Sequence, residues 1–115
     1  MALKTMVVEL SGLPVLRVDG ELDGPAAVEL RHAMSVASEA HGIHLVVDLS
    51  NTSYIESAAI GALIEIQVSY LERGGRLAVT CAPGNIARIL EVSGLADVVP
   101  LFDSVESAVA FLSKR

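Results

Sequence analysis

The chain has 115 residues, of which 52% are apolar, and a formal net charge of −6. This length corresponds to one domain, over residues 1–115, and no apolar run approaches the roughly 18 residues of a membrane span. The acidic balance argues against nucleic acid or anionic lipid as the main partner. The first residues lack the apolar region of a signal peptide, so we expect a cytoplasmic protein.

The beginning of the chain predicts a hairpin followed by a helix. Two β-rich runs, residues 6–10 and 15–19, flank a short turn that contains Gly12 and Pro14, a pattern typical of a β-hairpin. Asp23 or Gly24 is a suitable helix cap, and Pro25 suits the first position of a helix. We expect this helix to end near Ala40.

The middle of the chain predicts a buried strand, a loop and a long helix. Residues 44–49 contain a continuous apolar run, which is typical of a parallel strand covered on both faces, and Asp48 is expected to end it. Residues 50–53 are polar and predict a loop. A helix is expected over residues 57–73, with an inner face formed by Ile60, Leu63, Ile64, Val68 and Leu71. Its polar stripe would contain Ala58 and Ala62, and a flank would contain Ala59, Ile66 and Tyr70.

The last third continues the alternation of strands and helices. Strands are expected over residues 77–82 and 98–101, with a short helix after Asn85 between them. Asp103 and Glu106 resemble a capping box at the start of a final helix. The chain therefore predicts an α/β fold: an N-terminal hairpin, about four helices and a mixed, mainly parallel sheet.

Few residues are placed for catalysis. The sequence has no glycine-rich phosphate loop, metal-ligand cluster or nucleophile elbow, so we expect no enzymatic activity, cofactor or metal. Cys81 is the single cysteine and is expected to be a small buried side chain. His41 and His44 have no third ligand nearby in the sequence and are expected to lie in a solvated loop.

The segment between the buried strand and the long helix is the most informative chemically. Ser57 opens a helix just after a strand end, the place where sites gather in open α/β sheets. A phosphate there would gain unpaired backbone N–H groups and a favourable helix dipole. The alternative is that Ser57 only caps the helix.

Three segments resemble STAS domains, the family of bacterial anti-sigma factor antagonists. Residues 18–23 resemble its Gly-Glu-Leu-Asp turn, residues 47–61 its central motif, and Gly94 with residues 102–104 its C-terminal segment. The resemblance implies a domain that binds an anti-sigma factor, often a serine kinase, and thereby frees a sigma factor. It also implies that phosphorylation of the serine at the helix start reverses this binding.

The resemblance assigns roles to individual positions. Ser57 matches the phosphorylated serine, Asp48 the aspartate that ends the preceding strand, and Gly61 the second glycine of the helix start. We expect Asp48 to lie near Ser57. Glu56 stands where the family usually has Asp, and Ala59 where it usually has the first glycine. The expected partner-binding surface comprises Asp48, Ser53, Tyr54, Glu56, Ser57, Ala58, Ala59, Gly61 and Ala62.

A second function is compatible with the same resemblance. Some STAS domains are scaffold subunits of sensory or transport assemblies, and such a subunit would bind its partner permanently, without a phosphorylation switch. Mapping of phosphate on Ser57, followed by measurement of partner affinity, separates the two functions.

Overall fold

The computed structural model describes residues 3–114, except for the side chain of His41, so the expectation for that side chain lies outside the described part of the chain. Five strands, four helices and one short 3-10 turn are present in this range. In chain order they are β1 (Lys4–Leu10), β2 (Leu13–Leu22), α1 (Gly24–His41), β3 (His44–Ile55), α2 (Ser57–Glu72), β4 (Arg76–Thr80), α3 (Asn85–Val92), the 3-10 turn (Leu95–Asp97), β5 (Leu101–Phe102) and α4 (Val105–Ser113).

The strands form one sheet in the order β1-β2-β3-β4-β5. Strand β1 is antiparallel to β2, and the remaining neighbours are parallel. The predicted mixed, mainly parallel sheet is confirmed. The hairpin is also confirmed: Ser11 and Gly12 both have positive φ, 54° and 81°, as a tight two-residue turn between twisted strands requires.

The sheet is covered on both faces. Leu16, Leu45 and Val47 belong to the larger core cluster, which α1 and α2 complete, whereas Val15 and Val46 pack on the other face with α4. Consecutive residues of β2 and β3 therefore alternate between two aliphatic cores. This explains why the run Leu45-Val46-Val47, with no exposed surface, contains no polar position.

The predicted loop at residues 50–53 is wrong, because β3 continues through it to Ile55. The outer half of β3 pairs with the outer half of β2, from Asp19 opposite Asn51 to Leu22 opposite Ile55. Strand β4 ends at Thr80, opposite Asp48, so this part of β3 has β2 as its only neighbour in the described sheet. Ser50, Asn51 and Ser53 are exposed and Thr52 is buried, so these polar residues form a partly exposed strand rather than irregular backbone.

The predicted inner face of α2 is wrong in part. Val68 and Leu71 are 48% and 49% exposed, whereas Ala62 and Gln67 are buried. The helix carries apolar residues on several faces, so hydropathy alone defines its orientation weakly, and close packing of its small residues decides the rotation. The expected stripe holds at Ile60 and Leu63, which are buried.

The C-terminal third differs from prediction at three boundaries. Residues 95–97 form a 3-10 turn, and the predicted strand at residues 98–101 is replaced by β5, which is only two residues long. Strand β4 ends at Thr80 instead of Ala82. The cap of α4 is Ser104 instead of Asp103, because the Ser104 side chain accepts a hydrogen bond from the Ser107 N–H.

Gln67 completes the sheet where β5 is too short. The Val79 N–H donates to the carbonyl of Pro100, the residue before β5, and the Cys81 N–H donates to the carbonyl of Phe102 in β5. Leu77, two positions before Val79, lies beyond the end of that strand. The Gln67 side chain accepts a hydrogen bond from the Leu77 N–H at 2.9 Å and donates to the Leu77 carbonyl at 3.1 Å. It also donates to the Val98 carbonyl at 3.1 Å. One buried amide thus ties α2, β4 and the segment before β5 together.

We expect Gln67→Leu to lower the free energy of unfolding by about 3 kcal/mol, because it leaves buried backbone groups of Leu77 and Val98 without partners. Urea unfolding followed by circular dichroism measures this change. Ser69→Ala, at an exposed position of the same helix, is the matched control and should change the free energy of unfolding by less than about 0.5 kcal/mol. Equal effects of the two substitutions would contradict the role of Gln67.

Candidate functional site

The candidate site lies where β2 and β3 end and α1 and α2 begin. The Glu56 N–H donates to the Leu22 carbonyl at 2.9 Å, which fixes the start of α2 against the end of β2. Asp23 caps α1 by accepting a hydrogen bond from the Ala26 N–H at 2.9 Å. The two helix starts are therefore held side by side by adjacent parallel strands.

The N-terminus of α2 is open. Glu56 occupies the cap position in an extended conformation, but its side chain makes no capping hydrogen bond. Ser57 is the first helical residue and is exposed, and its hydroxyl has no hydrogen-bond partner within residues 3–114. The alternative that Ser57 caps the helix is therefore wrong. Within residues 3–114, the Ala59 and Ile60 N–H groups donate to the Glu56 carbonyl, and the Ser57 and Ala58 N–H groups have no acceptor. These two N–H groups favour an anion at this end of the helix.

Glu56 is instead engaged by Tyr54. The Tyr54 hydroxyl donates to the Glu56 carboxylate at 2.7 Å. This hydrogen bond is the main cause that raises the pKa of the Tyr54 phenol, and the charges of Glu56, Asp23 and Glu21 raise it further. Tyr54 thus draws the carboxylate towards itself and leaves the hydroxyl of Ser57 accessible.

The predicted partner-binding residues differ in their solvent exposure. Ser53, Tyr54, Ser57 and Ala58 are exposed, and Glu56 and Gly61 are half-buried. A methyl group added at Gly61 would meet nothing within 4 Å, so the packing of the domain does not require glycine there.

The expected contact role of Ala59 and Ala62 is wrong, because both side chains are fully buried in the core. Tyr70 is also buried, whereas Ile66 is only partly buried, so Ile66 alone of the predicted apolar flank keeps accessible surface. Most of the helix face that carries these residues points to the protein interior.

Asp48 does not lie near Ser57, contrary to the expectation. It is in the middle of β3, and the stretch from Asp48 to Ile55 pairs with Arg17 to Leu22 of β2, which spans roughly 17 Å of extended strand. Its carboxylate accepts hydrogen bonds from the Ser50 N–H and hydroxyl at 3.0 and 2.6 Å, and from the Thr80 hydroxyl at 3.0 Å. Asp48 therefore joins β3 to the end of β4.

Sequence reasoning missed the contribution of the β2–α1 turn to this site. Strand pairing places Glu21 opposite Tyr54, and Gly24 lies so close to Glu56 that a methyl group added to this glycine would stand 3.9 Å from the carboxylate Oε1. The turn is visible in the sequence as Gly20-Glu21-Leu22-Asp23, but its position beside α2 depends on the parallel pairing of β2 and β3.

The described residues contain no group of three His, Cys, Asp or Glu side chains that could hold a metal ion. None of the helices in residues 3–114 has the length and apolar character needed to cross a membrane. Cys81 is half-buried rather than fully buried, and burial is the main cause that raises the pKa of its thiol.

Comparison with known proteins gives a consistent result. The family model described as STAS domain matches residues 4–108. The anti-sigma F factor antagonist of Paenibacillus polymyxa is 28% identical over 102 residues, which cover 88% of this chain and 87% of that protein.

Two solved structures show the same fold. An anti-sigma factor antagonist from Mycobacterium paratuberculosis superposes with a TM-score of 0.84 at 22% identity, covering 98% of this chain and 96% of that chain. The anti-sigma factor antagonist SpoIIAA, a Bacillus cell fate determinant, superposes in its unphosphorylated form with a TM-score of 0.74 at 18% identity, covering 94% and 95%. SpoIIAA has also been solved in a phosphorylated form, which superposes with a TM-score of 0.67, covering 94% and 98%.

We expect Glu56→Gln to lower the pKa of the Tyr54 phenol, because the substitution removes the charged acceptor of its hydrogen bond. Carbon-13 NMR of ring-labelled tyrosines resolves the two titrations, and the pKa of Tyr70, which is raised mainly by burial, should stay unchanged. Glu65→Gln, on the same helix but paired with Arg31, is the control and should move neither tyrosine. An unchanged pKa of Tyr54 in Glu56→Gln would contradict the hydrogen bond between these two side chains.

Proposed function

Because the chain belongs to the STAS domain family, we propose that it is an anti-sigma factor antagonist whose binding is switched off by phosphorylation of Ser57. In this role it binds an anti-sigma factor of the serine kinase type and frees a sigma factor. The names of the relatives support the first part, and the phosphorylated form of SpoIIAA supports the second by analogy.

The observation that carries the proposal is the exposed, unpartnered Ser57 at the open N-terminus of α2. A kinase needs access to the hydroxyl, and this geometry gives it. Once attached, the phosphate lies beside free backbone N–H groups at the positive end of the helix dipole. The domain should therefore accept the modification without unfolding.

The same phosphate acts differently at an interface. It brings a charge of about −1.5 to −2 to a surface that already contains Glu21, Asp23 and Glu56. A partner that docks there must desolvate this charge, which is costly unless the partner supplies Arg or Lys. The proposed switch is therefore a local loss of affinity with the fold preserved.

The proposed docking surface is narrower than the sequence indicated. It comprises Ser53, Tyr54, Ser57 and Ala58, with Glu56 and Gly61 at its edge. Asp48 lies outside this surface. Its hydrogen bonds with Ser50 and Thr80 stabilise β3, the strand that leads to the surface. The glycine at position 61 leaves open space on the helix surface, which suits close approach of a partner backbone.

We expect kinase treatment to phosphorylate Ser57 and to weaken binding of the anti-sigma factor by at least about tenfold, equivalent to about 1.4 kcal/mol. Ser57→Ala should retain binding and block phosphorylation, and Ser57→Asp should weaken binding in part. Mass-spectrometric site mapping and calorimetry of the complex measure both effects, and thermal unfolding should change little.

Two results would contradict the switch. One is phosphate found only at other positions, and the other is a phosphorylated Ser57 with unchanged affinity. Either result, with binding intact, identifies a constitutive scaffold subunit instead.

We expect Ala58→Arg to weaken partner binding by at least about tenfold, because a large charged side chain would stand at the centre of the docking surface. Ala110→Arg, at an exposed position of α4, is the matched control and should leave affinity unchanged. Both variants should fold, since both positions face solvent. Equal affinity of the two variants would place the docking surface elsewhere.

A further inference from the structure

Strand β1 presents an unprotected edge of the sheet. It is seven residues long, lies at one end of the strand order and pairs, within residues 3–114, only with β2. Its pairing with β2 is continuous, from Lys4 opposite Asp19 to Leu10 opposite Leu13, and no bulge interrupts it. Exposed edges of this kind are templates for pairing with another strand.

The hairpin register identifies which backbone groups point outwards. In antiparallel pairs, hydrogen-bonded and non-hydrogen-bonded positions alternate, and the pair that closes a two-residue turn is hydrogen-bonded. Leu10 and Leu13 form that pair, so the next position, Glu9 opposite Pro14, is not hydrogen-bonded. Pro14 agrees with this assignment because it has no N–H to donate. The N–H and carbonyl groups of Thr5, Val7 and Glu9 therefore face away from β2.

The opposite edge of the sheet is protected. Strand β5 has only two residues and follows Pro100, and the Gln67 side chain satisfies the backbone of β4 beyond it. Short edge strands and proline are common means of preventing edge pairing. The two terminal strands thus differ in a way that favours association through β1 over β5.

We infer that β1 pairs antiparallel with β1 of a second copy of this chain, about a twofold axis that passes midway between the two Val7 residues. In this register Val7 lies opposite Val7 of the second copy, and Thr5 lies opposite Glu9 of the second copy. All three outward-facing residues then form hydrogen-bonded pairs, so the edge is satisfied without a third strand. The axis is perpendicular to the sheet, and a continuous sheet of ten strands results.

The side chains beside this edge fit a second copy. Strand β1 and helix α1 border an open groove of about 540 Å³, lined on the helix side by Val28, Glu29, His32, Ala33 and Val36. Val28 is 64% exposed and Val36 is 49% exposed. Val7 lies on the α1 side of the sheet, as alternation from Leu3 requires, so Val7 of the second copy would extend the apolar floor of this groove.

The charges of β1 do not oppose this arrangement. Lys4 and Glu9 are its only charged residues, so this strand is neutral in a chain of net charge −6. Antiparallel pairing places Lys4 opposite Leu10 and Glu9 opposite Thr5 of the second copy, so no like charges lie directly opposite each other. The two Glu9 residues are four positions apart along the strands, roughly 13 Å, which exceeds the screening length of about 8 Å at physiological salt.

The test is the mass of the full chain in solution, measured by sedimentation equilibrium from micromolar to near-millimolar concentration. We expect a reversible dimer of twice the chain mass. Val7→Lys should give a monomer over the same range, because two like charges would meet across the axis. Val92→Lys, at an 82% exposed position on α3, is the matched control and should leave the dimer intact.

A charge-swap experiment makes the symmetry itself testable. Val7→Glu alone should also be monomeric, and an equimolar mixture of Val7→Lys and Val7→Glu should restore the dimer, since opposite charges then meet at the axis. Circular dichroism of each variant checks that it is folded. A monomeric parent chain, a dimer that persists in Val7→Lys, or a mixture of folded variants that stays monomeric overturns the inference. If Val7→Lys or Val7→Glu does not fold, Val7→Thr is measured in its place. This substitution should raise the dissociation constant of the dimer without abolishing the dimer.

Discussion

The parallel pairing of the outer halves of β2 and β3 is the constraint on which the site depends. Beyond Asp48, β3 has no neighbour on the β4 side, and its polar residues are held in an extended conformation by β2 alone. This pairing brings Leu22 opposite Ile55, and the next hydrogen bond, from the Glu56 N–H to the Leu22 carbonyl, sets the point where α2 begins. The accessibility of Ser57 follows from that point.

The site combines two electrostatic influences of opposite sign. The open end of α2 favours an anion, whereas the carboxylates of Glu21, Asp23 and Glu56 disfavour one. Two of these carboxylates are already engaged: Asp23 caps α1, and Glu56 accepts the hydrogen bond of Tyr54. Their engagement leaves the Ser57 and Ala58 N–H groups of α2 available to the proposed phosphate.

The two terminal edges of the sheet differ in whether their backbone groups are paired. At β5, the side chain of Gln67 replaces a missing strand partner, so the edge is closed from within the chain. At β1, a regular seven-residue strand leaves its outward backbone groups unpaired within residues 3–114. The proposed docking surface at the start of α2 and the proposed pairing edge of β1 are formed by different elements, so the two proposals concern separate parts of the fold.

Much of the architecture follows from sequence alone. The positive-φ turn at residues 11–12, the cap at Asp23 and the apolar run at residues 45–47 fix the hairpin, the start of α1 and the buried strand, because each depends on local conformation or on burial of a whole segment. The residue pattern likewise placed Ser57 at the start of the second helix, where the structure has it.

Tertiary packing decided the features that depend on a neighbour distant in sequence. Residues 50–53 look like a loop but are a strand, because β2 supplies their hydrogen bonds. Ala62 looks like a surface residue but is buried, and Val68 and Leu71 look buried but are exposed, because helix α2 is apolar on several faces and its rotation is set by packing on α1 and β4. The sequence determined which segments form helices and strands, and the contacts between them determined which side chains a partner can reach.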